Sequence, residues 1–160
     1  MLDHVDAGLQ QELVAQDAAL ELYLDERMLM SAYEPLLIQQ IMQALGLTES
    51  VSPATAPILD AGCGVGLVGR LYPHLDLYGV DASLTLLRHA KVGYCTLVEC
   101  NAESLPFADG TFGLVLALNM LHHMMSPERV IAEFARVLRI RPPIPISPRP
   151  RNRANKAQWN

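Results

Sequence analysis

The clearest chemistry in this chain lies in two carboxylates and the glycines between them. Asp60 opens the stretch Asp60-Ala61-Gly62-Cys63-Gly64-Val65-Gly66-Leu67-Val68-Gly69, and Asp81 follows it. A run so rich in glycine suits a tight strand-to-helix turn, where φ is positive or a ligand comes close to bare backbone. Gly64 to Gly69 also satisfies G-x-G-x-x-G, by itself a weak signal for a dinucleotide. A glycine-rich turn that binds nothing fits it as well. The acids sharpen the choice. An acid directly before the turn opposes a pyrophosphate, which needs N–H groups and a helix N-terminus clear of negative charge. It suits a cationic amine instead. Asp81, ending the next strand, is placed to accept from both hydroxyls of a ribose. Each acid alone is an ordinary turn or strand-end residue, but the pair bracketing the glycines points to a cationic, phosphate-free nucleoside. S-adenosylmethionine, with an ammonium and a sulfonium, is such a molecule.

The elements that must position these residues follow from the periodicity. Leu9, Leu13, Leu20, Leu24 and Met28 recur near helical spacing, which predicts a helix from Leu9 to about Met30. A second helix is expected from near Pro35, carrying Leu37, Ile38, Ile41, Met42 and Leu45 and stopping at Gly46. Thr48 to Pro57 reads as a linker. Beyond it the pattern alternates. Ile58-Leu59-Asp60 is a short strand, followed by the glycine turn and a helix toward Leu71. Leu75 to Val80 is a strand ending at Asp81, Ser83 to Lys91 a helix, and Tyr94 to Glu99 a third strand. Phe112 to Leu118 is a fourth strand, apolar enough to be buried on both faces. Ser126 can cap a helix with Pro127 in its first turn, and Val130, Ile131, Phe134, Val137 and Leu138 form its apolar stripe. Strands alternating with helices predict a parallel sheet with helices on both faces. After Arg139 the pattern ends: the remaining residues include five prolines and no apolar period, so a disordered tail is expected there. The organisation predicted is 1–47 N-terminal helices, 48–139 the ligand-binding domain and 140–160 the tail.

Composition narrows the function. With 160 residues there is room for one core. No stretch approaches the roughly 20 apolar residues of a membrane span, and the acidic N-terminus is not that of a secretory signal. Cys63, Cys95 and Cys100 are odd in number and lack C-x-x-C spacing, which predicts reduced thiols in a cytoplasmic protein and no zinc site. The net charge of -5 is unevenly spread. Through Leu138 there are six basic against seventeen acidic residues, a net of -11, and the remaining six basic residues follow. An acidic body disfavours nucleic acid, whose binding rests on phosphate contacts.

The runs LDAGCGVGLVG, GVDAS and NAESLPFADGTFGLVLALNMLHH, followed by a helix ending ARVLR, resemble the class I S-adenosylmethionine-dependent methyltransferases. Within that family the chain is most similar to the quinone-biosynthesis and other small-molecule methyltransferases. The likeness covers about Tyr33 to Arg139, with four motifs in order. It implies an α/β, Rossmann-like fold with S-adenosylmethionine as cofactor. Asp60, Gly62, Cys63 and Gly64 would surround its methionine part, Asp81 would take the ribose, and Ala82 would lie beside the adenine. Asn101 and Ala102 stand at the family's adenine-reading position, usually Asp-Ala, and Asn119 would sit near the cofactor amine. Ala61 and Glu103 complete the expected cofactor-binding set. Leu105-Pro106-Phe107 matches a loop that packs below the adenine, although Phe107 reads equally well as core.

The chain departs from the family in two places. Gly113 stands where the family usually has Asp, which would weaken the turn into the fourth strand. After ARVLR the family has Pro-Gly-Gly and three further strands of a sheet ordered three-two-one-four-five-seven-six. Here a proline-rich basic run follows, so only strands one to four of seven are expected, with the fourth at an open edge able to pair with a second copy or a partner. His122 and His123 could serve as a base toward an oxygen acceptor, but loop histidines are the plainer reading, and no residue is assigned to catalysis. The expected function is methyl transfer to a small-molecule acceptor, with activity of the isolated chain in doubt. A non-catalytic cofactor-binding fragment is the alternative. An NAD-type Rossmann protein ranks third because it gives Asp60 no role.

Overall fold

The computed structural model describes residues 33–47 and 56–139, together with Gln10, Gln11 and Val14 in helical conformation. Apart from those three positions, the helix expected over Leu9 to Met30 lies outside the described residues. So do most of the linker and the tail after Arg139, and with them the proposed domain boundaries.

Helix α1 spans Tyr33–Ala44. It buries Ile38 and Met42 and leaves Leu36 and Leu37 exposed. Its end is set by Gly46, as the sequence predicts. The Gly46 amide donates to the Gln43 carbonyl (3.0 Å) and the Leu47 amide to that of Met42 (2.8 Å). Leu47 then joins Met42 in the core, the hydrophobic contact that accompanies this type of helix stop.

Strands β1 (Ile58–Ala61), β2 (Leu77–Asp81), β3 (Thr96–Glu99) and β4 (Leu114–Leu116) form one parallel sheet in the order β3-β2-β1-β4. Ile58 lies opposite both Leu77 and Leu114, and Asp60 opposite both Gly79 and Leu116. Being central, β1 is buried along its whole length. Its side chains alternate between faces. Ile58 packs with Ile38, Met42, Val68 and Tyr72, under α1 and the short α2 (Leu67–Leu71). Leu59 and Ala61 pack with Phe112, Leu105 and Val137, under α4 (Pro127–Val137). The sheet therefore carries helices on both faces, as the alternating pattern predicts.

Several element bounds differ from expectation, each for a local reason. β2 begins at Leu77, because the Leu75 amide bonds to the Tyr72 carbonyl and the Leu77 amide to that of Leu75, turning the chain before it extends. α3 spans only Leu84–Leu87 after its Ser83 cap. His89 and Ala90 then tighten into three-residue turns, and the backbone of Ala90 comes to lie directly against Gly66. β4 is shorter than predicted and not buried on both faces, since Leu114 and Val115 are half-buried. Among the described residues its outer side is met only at its approach, where Leu138 bridges Phe112 and the Arg139 amide donates to the Phe112 carbonyl. Gly113 does not loosen that approach: its amide donates to the Pro57 carbonyl, and it lies flush against Ala56. The Ser126 side chain makes no capping bond; its carbonyl accepts from the Arg129 amide. Ile131 is 56% exposed and leaves the predicted stripe. Val130, Phe134 and Val137 stack at i, i+4 and i+7, whereas Ile131 points about 100° away around the helix.

Phe107 is half-buried and packs against the core. Its ring meets that of Phe112 edge-on, with centroids 4.9 Å apart and Tyr78 completing the group. Arg136 holds this segment down. Its guanidinium donates to the carbonyls of Leu105 and Phe107, to Asp109 and to both carboxylate oxygens of Glu133, while Glu133 accepts the Leu105 amide at 2.7 Å. Those hydrogen bonds hold the Glu133 carboxyl below its ordinary range. Arg136→Ala should therefore speed amide exchange at Leu105 by about tenfold, the value of one net hydrogen bond. Arg129→Ala, which removes a 3.7 Å pair between Glu103 and an exposed arginine, should leave that rate unchanged. Residue-resolved hydrogen exchange checks both.

Candidate cofactor site

The expected site residues gather at the carboxyl ends of the four strands. The crossovers after β1 and β3 place β2 and β4 on opposite sides of β1, and open parallel sheets bind ligands at such a switch point. Asp60 lies in β1, one residue before its end, and the glycine bend follows, with Gly62, Gly64 and Gly66 all at positive φ. A Cβ at Gly64 would meet nothing within 4 Å, so its requirement for glycine is conformational and its outer side is open. Gly62 is backed by Met120, which brings Asn119 and the end of β4 against the bend. Asn119 holds the left-handed conformation, with φ of 57°, which Asn tolerates better than most residues.

The backbone of this bend is already engaged. The amides of Gly62 and Cys63 donate to the Val80 carbonyl, and the Gly66 amide donates to that of Cys63. The Gly64 amide donates to Asp81 Oδ2 at 2.8 Å, and Asp81 Oδ1 accepts the Ser83 amide at 2.9 Å. A pyrophosphate cradle needs such amides to be available and free of negative charge. Here they are spent inside the protein, one of them on a carboxylate. The Gly64 and Ser83 amides fix the Asp81 carboxylate at the end of β2. A bend whose amides are spent in this way opposes a pyrophosphate.

Asp60 is 2% exposed. Its Oδ2 accepts the Tyr94 hydroxyl at 2.5 Å, and among the described residues no donor meets Oδ1. Burial, opposed by the Tyr94 bond and reinforced by the charge of Asp81, raises its carboxyl to about 6 from an ordinary 3.8. Because this acid titrates higher in the folded chain than in the unfolded one, its ionisation weakens the fold as pH rises through that interval. A buried carboxylate with an unmet oxygen is the feature that a cationic ligand would relieve. Cys63, between the two acids, has its thiol pushed far above the ordinary range, first by burial and then by Asp60 and Asp81. It stays protonated and is no nucleophile. Cys100 is raised to about 11 by burial and by Asp81. All three cysteines are free.

Past β3, Asn101 turns its side-chain oxygen back to the Glu103 amide (2.9 Å), leaving its amide nitrogen for the site. The Cys100 amide donates to the Asp81 carbonyl, which ties this turn to the β2 end beside Ala82. Ala102 is buried with Met120 and Val130, and Glu103 faces Arg129. His122 and His123 are exposed on a short 3₁₀ turn, Leu121–His123. Among the described residues no cluster could hold a metal. Two participants escaped the sequence reading. Ser83 orients Asp81 through its amide, and Tyr94, thirteen residues beyond Asp81, reaches back to Asp60. No spacing rule signals that contact.

Residues 59–141, just over half of the chain, match the model of a methyltransferase domain family. The chain belongs to the S-adenosylmethionine-dependent methyltransferases. It is 36% identical over 92 residues to the malonyl-[acyl-carrier protein] O-methyltransferase of Legionella pneumophila, covering 52% of this chain and 32% of that protein. It is 34% identical over 95 residues to the ubiquinone/menaquinone biosynthesis C-methyltransferase of Desulfotalea psychrophila, covering 54% and 39%. It is 31% identical over 84 residues to the bovine "probable tRNA methyltransferase 9B", covering 51% and 18%. The chain thus spans at most about two fifths of the length of those relatives. In structure it superimposes on a Thermotoga maritima protein described as a possible histamine N-methyltransferase, with a TM-score of 0.60 at 21% identity, over 77% of this chain and 55% of the other. That likeness shows the fold alone. The chain carries no helix, among the described residues, long and apolar enough to cross a membrane.

Proposed function

We infer that the chain binds S-adenosylmethionine across the carboxyl ends of β1, β2 and β3 and supports transfer of its methyl group to a small-molecule acceptor. The observation that carries this reading is the buried Asp60 carboxylate, one oxygen of which meets no donor among the described residues, one strand from an Asp81 that accepts the loop amide of Gly64. The pair suits an ammonium and a ribose in one ligand. When bound, the cofactor supplies a methyl group already activated by the sulfonium charge, so the protein's task is orientation and exclusion of water. Asp60 would hold the amine, Asp81 the ribose hydroxyls, and Asn101 and Ala102 the adenine edge. Asn119 stands beside the bend where the acceptor would approach. A small acceptor is favoured over RNA by the acidity of the body, and two of the relatives bear names of small or carrier-bound acceptors.

Calorimetric titration with S-adenosylhomocysteine tests the reading. Binding in the micromolar range is expected, with no heat from NADH. The reverse pattern would refute it. Heat with S-adenosylhomocysteine but no methyl transfer to any acceptor would select the cofactor-binding fragment instead. Pairing through the β4 edge with a second copy belongs to that alternative and would show as a doubled native mass.

A further inference from the structure

We propose that Tyr94 is a positioning residue that holds the Asp60 carboxylate, in orientation and charge, for the cofactor's ammonium. The inference rests on the binding mode proposed above and goes beyond it to a residue outside the motifs.

The case begins with space. The Tyr94 ring lies in a slot made by two glycines on different elements. A Cβ at Gly69, in α2, would fall 2.4 Å from one ring edge, and a Cβ at Gly79, in β2, 2.9 Å from the other. Gly69, the last glycine of the G-x-G-x-x-G run, thus makes room for a tyrosine in addition to packing its helix. The ring so placed brings its hydroxyl to Asp60 Oδ2 at 2.5 Å, within the range for an O–H donor to a carboxylate. The Gly69 amide in turn donates to the hydroxyl oxygen at 3.4 Å. A relay therefore runs from the first turn after the glycine bend, through Tyr94, to Asp60.

The charge balance makes that relay matter. Among the described residues, the titratable groups facing Asp60 are Tyr94 from the turn before β3, Asp81 from β2 and Cys63 from the bend; none of these is a cation. Burial and Asp81 both disfavour the ionised form, and the Tyr94 hydrogen bond is what opposes them. Tyr94 itself cannot release its proton, because burial and the Asp60 charge drive its phenol far above the ordinary range. It is a fixed donor. With its hydroxyl on Oδ2, the remaining oxygen, Oδ1, is the one left to meet an ammonium.

The test compares wild type, Tyr94→Phe, Asp60→Asn and the double variant. Affinities for S-adenosylhomocysteine and for 5′-methylthioadenosine, which lacks the amino-acid moiety, are measured from pH 5 to 8 by calorimetry. Wild-type affinity for S-adenosylhomocysteine should rise with pH through about 6 and then level. Tyr94→Phe keeps the ring and should weaken that ligand about tenfold at pH 7, moving the rise upward by about one pH unit. It should leave 5′-methylthioadenosine within about twofold, about 0.4 kcal/mol in binding. In the Asp60→Asn background the pH-dependent rise, and the effect of Tyr94→Phe on it, should vanish. In the ligand-free chain, the carboxyl carbon of Asp60 followed by NMR should titrate higher in Tyr94→Phe than in wild type. Equal weakening of both nucleosides, or an unmoved Asp60 titration, overturns the proposal and leaves the cofactor reading standing. A wild-type chain that binds neither nucleoside overturns both.

Discussion

Gly93→Ala should lower the melting temperature by about 10–20 °C, the largest stability loss expected from one added methyl group at the described glycines. Gly93 has φ of +82°, and a Cβ built on it would fall 1.9 Å from the Gly69 carbonyl oxygen and 2.4 Å from its carbon. Adopting that φ with a side chain costs about 1–2 kcal/mol. The clash adds more, because the opposing atoms are backbone on both sides. Relief requires α2 and the turn before β3 to separate, and the Tyr94 slot lies between them. A total of about 3–5 kcal/mol is a large share of the stability of a domain this size. Gly110→Ala is the control. Its φ is +63°, but the nearest heavy atom to its Cβ is 3.9 Å away, so only the conformational cost of about 1–2 kcal/mol applies. Thermal unfolding of the two variants, followed by circular dichroism, separates clash from backbone strain. A Gly93→Ala chain as stable as Gly110→Ala would mean that the close approach of Gly69 and Gly93 is absent.

Asp81→Ala should raise the Kd for S-adenosylhomocysteine by at least about 100-fold, the worth of two hydrogen bonds to a charged acceptor. The loss has two sources. The ribose hydroxyls lose their acceptor, and the Gly64 and Ser83 amides lose the carboxylate that fixes the bend. Unlike Tyr94→Phe, this change should weaken 5′-methylthioadenosine equally, since both nucleosides carry the ribose. The two variants thus assign two ends of one ligand to two acids. Isothermal titration reads the difference. An Asp81→Ala chain that keeps its fold and binds within about threefold of wild type, under 1 kcal/mol, would remove Asp81 from the site.

The parallel sheet, and the meeting of Asp60 and Asp81 at its strand ends, were legible in the order of residues alone. Alternation of short apolar runs with helical stripes is a local property, and it survives folding because each run buries the face its period defines. Ile58 and Leu59 fall on opposite faces of β1, and Val130 and Val137 on the inner side of α4, as their spacing requires. The placement of the Asp60–Asp81 bracket was legible for the same reason: both acids belong to strand ends, and strand ends are what a period reveals. Gly46 and the stop of α1 were equally local.

The contacts that decide how those acids behave were not legible. Tyr94 meets Asp60 across 34 positions of chain, and Arg136 clamps Leu105 and Phe107 across 31 and 29. Nothing in the spacing of either residue distinguishes it from a surface side chain, because its partner is brought to it by sheet order and not by neighbourhood. Ile131 left its stripe, and β4 was only half covered, because burial is fixed by what packs opposite a residue. Whether the glycine bend offers its amides to a ligand was also a tertiary matter. Its glycine spacing, taken without Asp60, is that of a phosphate cradle. The register of β1 on β2 spends those amides on Val80 and Asp81. Sequence alone determined that Asp60 and Asp81 stand at strand ends beside the glycine bend; tertiary packing determined their charge and hydrogen bonding, since desolvation and distant partners exist only once the chain has closed.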